Sequence, residues 1–251
     1  LDAADLHFHS VRSDGEWSPS RLVKEAAREG LRAVALTDHD TTDGLDEAME
    51  AGAAHGVEVI AGVEISTWLD ADVHVLAYGF DPAFPALATL FRGARAARRT
   101  RAERMVEKLA ELGKPVSMEA VLAEAGDGAI GRPHVARALA RSGQVASVRE
   151  AFDRFLGDGK PACMEKMKVT PAEAARAVRA AGGVTVAAHP GCYGGVALLA
   201  RLAAAGVDGV EVRHSLHDAA LTAELEAWAD ERGMLKTGGS DFHGPGPFTI
   251  G

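Results

Sequence analysis

The chain has 251 residues, 47% hydrophobic and 25% charged, with a formal net charge of −9. This is globular composition, long enough for a large core in one domain with an insertion or in two small domains. The acidic balance argues against broad binding to nucleic acid, which needs a basic face, but leaves an anionic substrate open if bound cations invert the local field. No apolar run reaches the ~18 residues of a membrane span, and the start shows neither a basic nor an apolar leader region. Cys163 and Cys192 form no CxxC pair and no disulfide framework. A reducing, cytoplasmic location without a membrane partner is therefore expected.

In chain order, Ala4 to Phe8 reads as a short strand and Pro19 to Glu29 as a helix, with Ser18 as its cap, Pro19 in its first turn and Gly30 at its end. Ala33 to Leu36 is a buried strand ending in Thr37-Asp38-His39-Asp40. Asp43 to His55 is a helix stopped by Gly56. Val57 to Ile60 leads toward Gly62-Val63-Glu64, and Asp72 to Tyr78 alternates as a strand that carries His74. From about Pro85 to Phe155 the pattern turns helical and charged. Arg92, Arg95, Arg98, Arg99, Arg101 and Arg104 share one long segment, which reads as a solvated helix face. Strand and helix then alternate again through Pro171–Ala181, Val184–Ala187, Val196–Ala205, Gly209–Val212, Asp218–Arg232 and Leu235–Gly238. This rhythm predicts an α/β fold rich in parallel sheet, with residues 93–165 as a helical insertion between 1–92 and 166–251.

The chemistry-bearing residues lie at the predicted strand ends, where functional side chains of such sheets collect. His7-Phe8-His9 puts two imidazoles on one face of a strand, because alternate residues point the same way. Ser13-Asp14-Gly15 adds a carboxylate on the next turn. His39, Glu64, His74, His189, Asp241 and His243 complete the inventory. Imidazole and carboxylate suit zinc, manganese or iron. The supply exceeds one tetrahedral site and could hold two or three divalent ions, with Glu64 able to bridge a pair. Any one of these residues alone could be a helix cap or a surface acid; their conjunction carries the reading.

The words Asp5-Leu6-His7-Phe8-His9-Ser10, Ser13-Asp14-Gly15, Leu36-Thr37-Asp38-His39-Asp40, Gly62-Val63-Glu64-Ile65-Ser66, His74, Ala188-His189-Pro190-Gly191 and Gly239-Ser240-Asp241-Phe242-His243 resemble the polymerase and histidinol phosphatase (PHP) family, in its order and across nearly the whole chain. The resemblance implies a distorted seven-stranded (β/α)7 barrel of parallel-type strands with a trinuclear centre. It places His7, His9, Glu64 and Asp241 around one ion. It has Glu64 bridge to a second ion held by His74 and His189, and Asp14, His39 and His243 hold a third. The insertion is similar to that of PHP phosphoesterases acting on 3′,5′-bisphosphonucleotides and on 5′ ends of short RNA. Arg132-Pro133-His134 and Lys160-Pro161 match that group's words. By that likeness Arg132, His134 and Lys160 would hold phosphate, unless Pro133 merely starts a helix with its neighbours exposed. His217 fits a further family position, as substrate contact or candidate acid. His214 is left between a site role and a surface role, and His55 is read as structural or solvated. Relatives carry an arginine after His-Pro-Gly where this chain has Cys192, so Arg213 is considered as a replacement.

The residues themselves point to metal-assisted hydrolysis by hydroxide bridging the ions, and the resemblance implies a pAp-like nucleotide as the substrate that loses phosphate. Nothing suggests a covalent nucleophile, a P-loop or a dinucleotide fingerprint. Rival readings are a 5′-to-3′ exonuclease on short oligonucleotides, a histidinol-phosphate phosphatase, and a non-enzymatic metal-binding module.

Overall fold

In a computed structural model, residues 3–164, 169–245 and 249–251 are described. Seven strands follow one another around a nearly closed barrel: β1 (Ala4–Phe8), β2 (Ala33–Leu36), β3 (Glu58–Trp68), β4 (Asp72–Tyr78), β5 (Val184–Ala187), β6 (Gly209–His214) and β7 (Leu235–Gly239). Beyond the end of β7 the chain closes on β1. The Asp241 amide donates to the His7 carbonyl, and the His9 amide donates to the Phe242 carbonyl, both at 2.8 Å. The helices are α1 (Pro19–Arg28), α2 (Leu45–His55), α3 (Pro85–Glu111), α4 (Met118–Ala125), α5 (Arg132–Arg141), α6 (Val148–Ala151), α7 (Pro171–Ala180), α8 (Val196–Ala204) and α9 (Ala219–Arg232).

Local chemistry accounts for the helix starts. Ser18 caps α1 ahead of Pro19, and Thr170 forms a reciprocal capping box with Glu173 on α7. The α2 helix begins at Leu45 rather than Asp43, because the Thr41 hydroxyl takes the Asp43 amide at 3.2 Å. Phe8 packs outward with Leu22, Val23 and Leu36 beneath the helices, and Val210 and Val212 pack with Leu199, Leu202 and Leu225. Leu76, Tyr78, Val186 and Ala188 fill the lower interior.

Two features depart from a regular strand–helix alternation. All neighbouring strands pair in parallel except at β4, which runs antiparallel to both β3 and β5. A tight turn, with Asp70 at φ 61°, joins β3 to β4 in place of a helix. The β3 strand is longer than expected because its first half pairs with β2 and its second half with β4, so Glu64 lies within it rather than past its end. The reversal of β4 has a consequence for His74. This residue is near the start of its strand, and only an antiparallel strand brings its start to the rim where the others end.

Between β4 and β5 the chain builds a helical segment with an apolar cluster of its own, including Met105, Leu109, Val121, Val135, Leu139 and Leu156. Residue 93 falls inside the continuous α3, and residues 165 and 166, the other expected boundary, lie outside the described residues. The arginine row is not a uniformly solvated face. Arg98 and Arg101 are each only 8% exposed. Among the described residues no helix is long and apolar enough to cross a membrane.

Candidate metal centre

Glu64 is the hub of the barrel rim. Its Oε1 lies 2.6 Å from His74 Nδ1 and 2.9 Å from His189 Nε2; its Oε2 lies 3.0 Å from His39 Nδ1, 3.2 Å from His9 Nε2 and 3.5 Å from His7 Nε2. Asp241 Oδ1 stands 3.2 Å from His9 and 3.3 Å from His7. Asp14 reaches His243 Nε2 at 3.3 Å and His39 Nε2 at 3.8 Å. The structure thus brings together all nine residues expected at the rim. Their donor atoms fall into overlapping groups, including His9, Asp14, His39 and His243; His7, Glu64 and His189; and His39, Glu64 and His74.

The donor set fits divalent ions. His39 Nδ1 and Asp14 Oδ1 are buried and make no well-directed hydrogen bond, although Glu64 Oε2 and His243 Nε2 lie 3.0 and 3.3 Å away, an arrangement costly for polar atoms unless another ligand satisfies them. Outer contacts aim the rings. Glu211 Oε1 accepts a hydrogen bond from His7 Nδ1 at 2.9 Å, which points Nε2 toward Glu64 and Asp241. The other Glu211 oxygen accepts the His189 amide at 2.6 Å. Asp38 accepts from the Ser10 and Ser13 hydroxyls at 2.6 and 2.5 Å and packs the loop under His9. Asp40, His189 and Asp241 all have positive φ, at 54°, 27° and 54°, so backbone strain is concentrated at this rim.

Burial opposes charge throughout the cluster, yet the pairing wins for most members. Burial would raise Glu64, but His74, His39 and His7 hold its carboxyl well below the usual range. Asp14 and Asp241 are held low in the same way by surrounding imidazoles. Burial would lower His9 and His189, but facing carboxylates, with Cys192 also beside His189, push both up to about 10. His39 goes the other way: burial lowers it well below its normal value despite Glu64 and Asp14. Ion uptake at such a rim displaces protons from histidines, so it strengthens as pH rises.

A cavity of about 990 Å³ opens above the rim. His39, Glu64, His74, His189, Asp241 and His243 form one side. Arg101, Arg132, Lys160 and Arg201 stand among the other lining residues, with Trp68, Leu69, Tyr193 and Leu198. Arg132 is anchored by Asp158 at 2.6 Å. Arg101 donates to the Met164 carbonyl at 2.7 Å, and burial together with Arg132 lowers its pKa to about 10.

Three expectations are corrected. His134 does not face this cavity. Its ring is 2% exposed, Nδ1 accepts the Gly131 amide at 2.9 Å at the start of α5, and burial lowers its pKa to about 4. His217 has both ring nitrogens committed to backbone. Nδ1 donates to the Val212 carbonyl at 3.1 Å and Nε2 accepts the Gly191 amide at 3.2 Å, so it has no free proton to offer as an acid and does not line the cavity. Arg213 is exposed beside Lys236 and Gly238, in a different hollow, and does not replace the arginine absent at Cys192.

Sequence reasoning missed Glu211 as an inward-facing group and left His214 undecided between a site role and a surface role. A bulge between Glu211 and Arg213 breaks the alternation of β6, so both Glu211 and His214 turn into the barrel although they are three residues apart. The Leu216 amide donates to His214 Nδ1 at 3.1 Å, which points Nε2 toward Asp241 Oδ2, 3.4 Å away. Nε2 is buried with no hydrogen-bond partner and falls in a further donor group with His7 and Asp241.

A (β/α) barrel whose rim gathers histidines and carboxylates in this way belongs to the metallohydrolase class. The chain belongs to the PHP domain family, a family of metal-dependent phosphoesterases, whose model matches residues 5–152. It is 37% identical over 247 residues to the 5′-3′ exoribonuclease of Haemophilus influenzae, spanning 96% of this chain and 90% of that protein. It is 38% identical over 257 residues to the 3′,5′-nucleoside bisphosphate phosphatase of Chromobacterium violaceum, spanning 96% and 87%. A solved Chromobacterium violaceum chain, described as an amidohydrolase with bound sulfate and no metal, superposes with a TM-score of 0.91 at 36% identity, covering 99% of this chain and 90% of that one.

Proposed function

We propose that this enzyme hydrolyses phosphate from 3′,5′-bisphosphonucleotides of the pAp type. The observation that carries the reading is one cavity with two unlike anion-binding sides, a metal-ligating rim and a set of cationic side chains. A substrate with two phosphates satisfies both.

Two or three divalent ions, manganese, zinc or iron, would be held by His7, His9, Glu64 and Asp241, by Glu64, His74 and His189, and by Asp14, His39 and His243. Bound there, they would supply an acidified water and positive charge against the phosphoryl oxygens. The chain's own residues do the rest. Glu211 fixes the orientation of the His7 ring, and His214 stands 3.4 Å from the second oxygen of Asp241. Arg132, Lys160 and Arg101 clamp the phosphate that is not cleaved, and Arg101, Arg132 and Lys160 all come from the helical segment, which acts as a cap over the rim. Tyr193, packed 5.2 Å from the His189 ring, limits water on that flank.

A 5′-to-3′ exonuclease on short RNA is the second reading. It is favoured by the likeness to the Haemophilus influenzae exoribonuclease and by a cavity near the upper end of the usual range of about 300–1,000 Å³ for ligand sites. Histidinol phosphate is the lesser reading, because the similar proteins named above act on nucleotides and RNA. A non-enzymatic module is disfavoured by the complete donor set. Phosphate release from pAp, AMP, a 5′-phosphorylated oligonucleotide and histidinol phosphate, each with manganese, tests the reading. The expected order places pAp first; a strong preference for the oligonucleotide supports the second reading, and equal turnover of AMP and pAp removes the role of the second phosphate.

A further inference from the structure

Arg98 of α3 lines no wall of the main cavity, yet its buried guanidinium reaches three separate parts of the fold. Nε donates to Asp40 Oδ2 at 2.5 Å, Nη2 donates to Ser66 Oγ at 2.8 Å, and Nη1 donates to the Ile130 carbonyl at 3.3 Å. Each partner adjoins a working residue. Asp40 follows His39, and its amide donates to the Glu64 carbonyl at 3.0 Å. Ser66 is two residues past Glu64 on β3 and pairs across the ladder with His74. Ile130 is two residues before Arg132. Asp40 is also strained, with a φ of 54°, and its second oxygen accepts the Ser66 amide at 2.8 Å. Such a conformation persists only when its surroundings over-determine it. A guanidinium can do this because its donors are fixed in a planar fork; an ammonium has the charge without the fork.

We propose that Arg98 is a positioning residue that sets the metal rim and the phosphate clamp in register with each other. Through Asp40 it holds His39, through Ser66 it holds the β3 stretch around Glu64 and His74, and through Ile130 it holds the approach to Arg132. One side chain of the cap therefore governs both metal affinity and the affinity for the distal phosphate. This inference rests on the reading of the rim as a metal site.

The test uses the full chain and reads manganese binding by calorimetry, KM and kcat for pAp at saturating manganese, and the melting temperature. Arg98→Lys is expected to fold, to bind manganese about tenfold more weakly, in the range that outer contacts of metal ligands command, and to raise KM for pAp more than it lowers kcat. Ser66→Ala, which deletes one contact and no charge, is expected to move both quantities in the same direction by less, and it serves if the lysine variant does not fold. Arg99→Met, on the exposed side of the same helix where the side chain pairs with Glu103, should match the wild type. Unchanged manganese affinity and KM in Arg98→Lys and Ser66→Ala, with only a lower melting temperature, would overturn the proposal and leave Arg98 a structural tie. A wild-type chain that binds no manganese would instead overturn the metal reading, and this inference with it.

Discussion

The rim and the cationic side of the cavity are built differently. At the rim, side chains from separate strand ends are buried against one another, and almost every group is oriented by two neighbours, as His7 is by Glu211 and Glu64. Across the cavity, Arg132 is tied by Asp158, a residue largely open to water, and Lys160 stands exposed on a loop. The first arrangement is preorganised and suits ions and bond cleavage, where small displacements are costly. The second can yield, and suits holding the part of the substrate that does not react.

This contrast predicts effects of unequal size. The largest belongs to Glu64→Gln, which keeps the shape but removes the charge that five imidazoles share. Phosphate release should fall by about a thousandfold or more, consistent with the several kcal/mol that bound ions contribute, and metal content should fall with it. Residual activity above a tenth of wild type would break the assignment of Glu64 as hub. Next comes chelation. Stripping ions should abolish turnover and lower the melting temperature, by mass action on a ligand bound only to the folded state, and manganese should restore both. On the opposite side, Arg132→Ala should raise KM for pAp by about tenfold to a hundredfold while kcat changes little, the pattern of lost uniform binding. A fall in kcat with KM unchanged would place Arg132 in the chemistry instead.

The smaller effects concern the two histidines that the structure turns away from the cavity. His134 stays neutral in the fold down to about pH 4, whereas an unfolded histidine titrates near 6.5. Between those values the unfolded chain takes up a proton that the folded chain refuses, so acidification destabilises the protein by up to about 3 kcal/mol at this site. Urea unfolding at pH 7 and pH 4.5 should show His134→Gln losing less stability on acidification than wild type; equal losses would contradict a buried neutral ring. His217→Ala should change kcat by less than about tenfold, because a general acid would cost about a hundredfold or more. The larger loss would return His217 to the acid role.

How much could be read in advance also divides along this line. His7, His9, His39, His189 and Asp241 were legible because the polar residue follows directly on an apolar strand run, and the fold gathers such ends. His74 was read as a donor carried on the strand Asp72 to Tyr78, but its place at the rim depends on β4 running backwards, which alternation alone does not reveal. Glu211 was hidden, and His214 left undecided, by a one-residue bulge that no propensity marks. Arg98 and Arg101 looked like members of a solvated row, since a helix carrying charge all around gives no phase from which to choose the buried face. The Arg132-Pro133-His134 word shows the same limit. Its arginine lines the cavity while its histidine, two positions on in a helix, points elsewhere and caps the turn.

The most direct measurement is metal content against turnover in one set of samples. The chain is stripped with chelator, reloaded with increasing manganese, and assayed for ions per chain by elemental analysis and for phosphate released from pAp. The account predicts loading to two or three ions per chain, with activity rising as the sites fill. Full activity in the stripped protein, or saturation of activity with no ion bound, would contradict it.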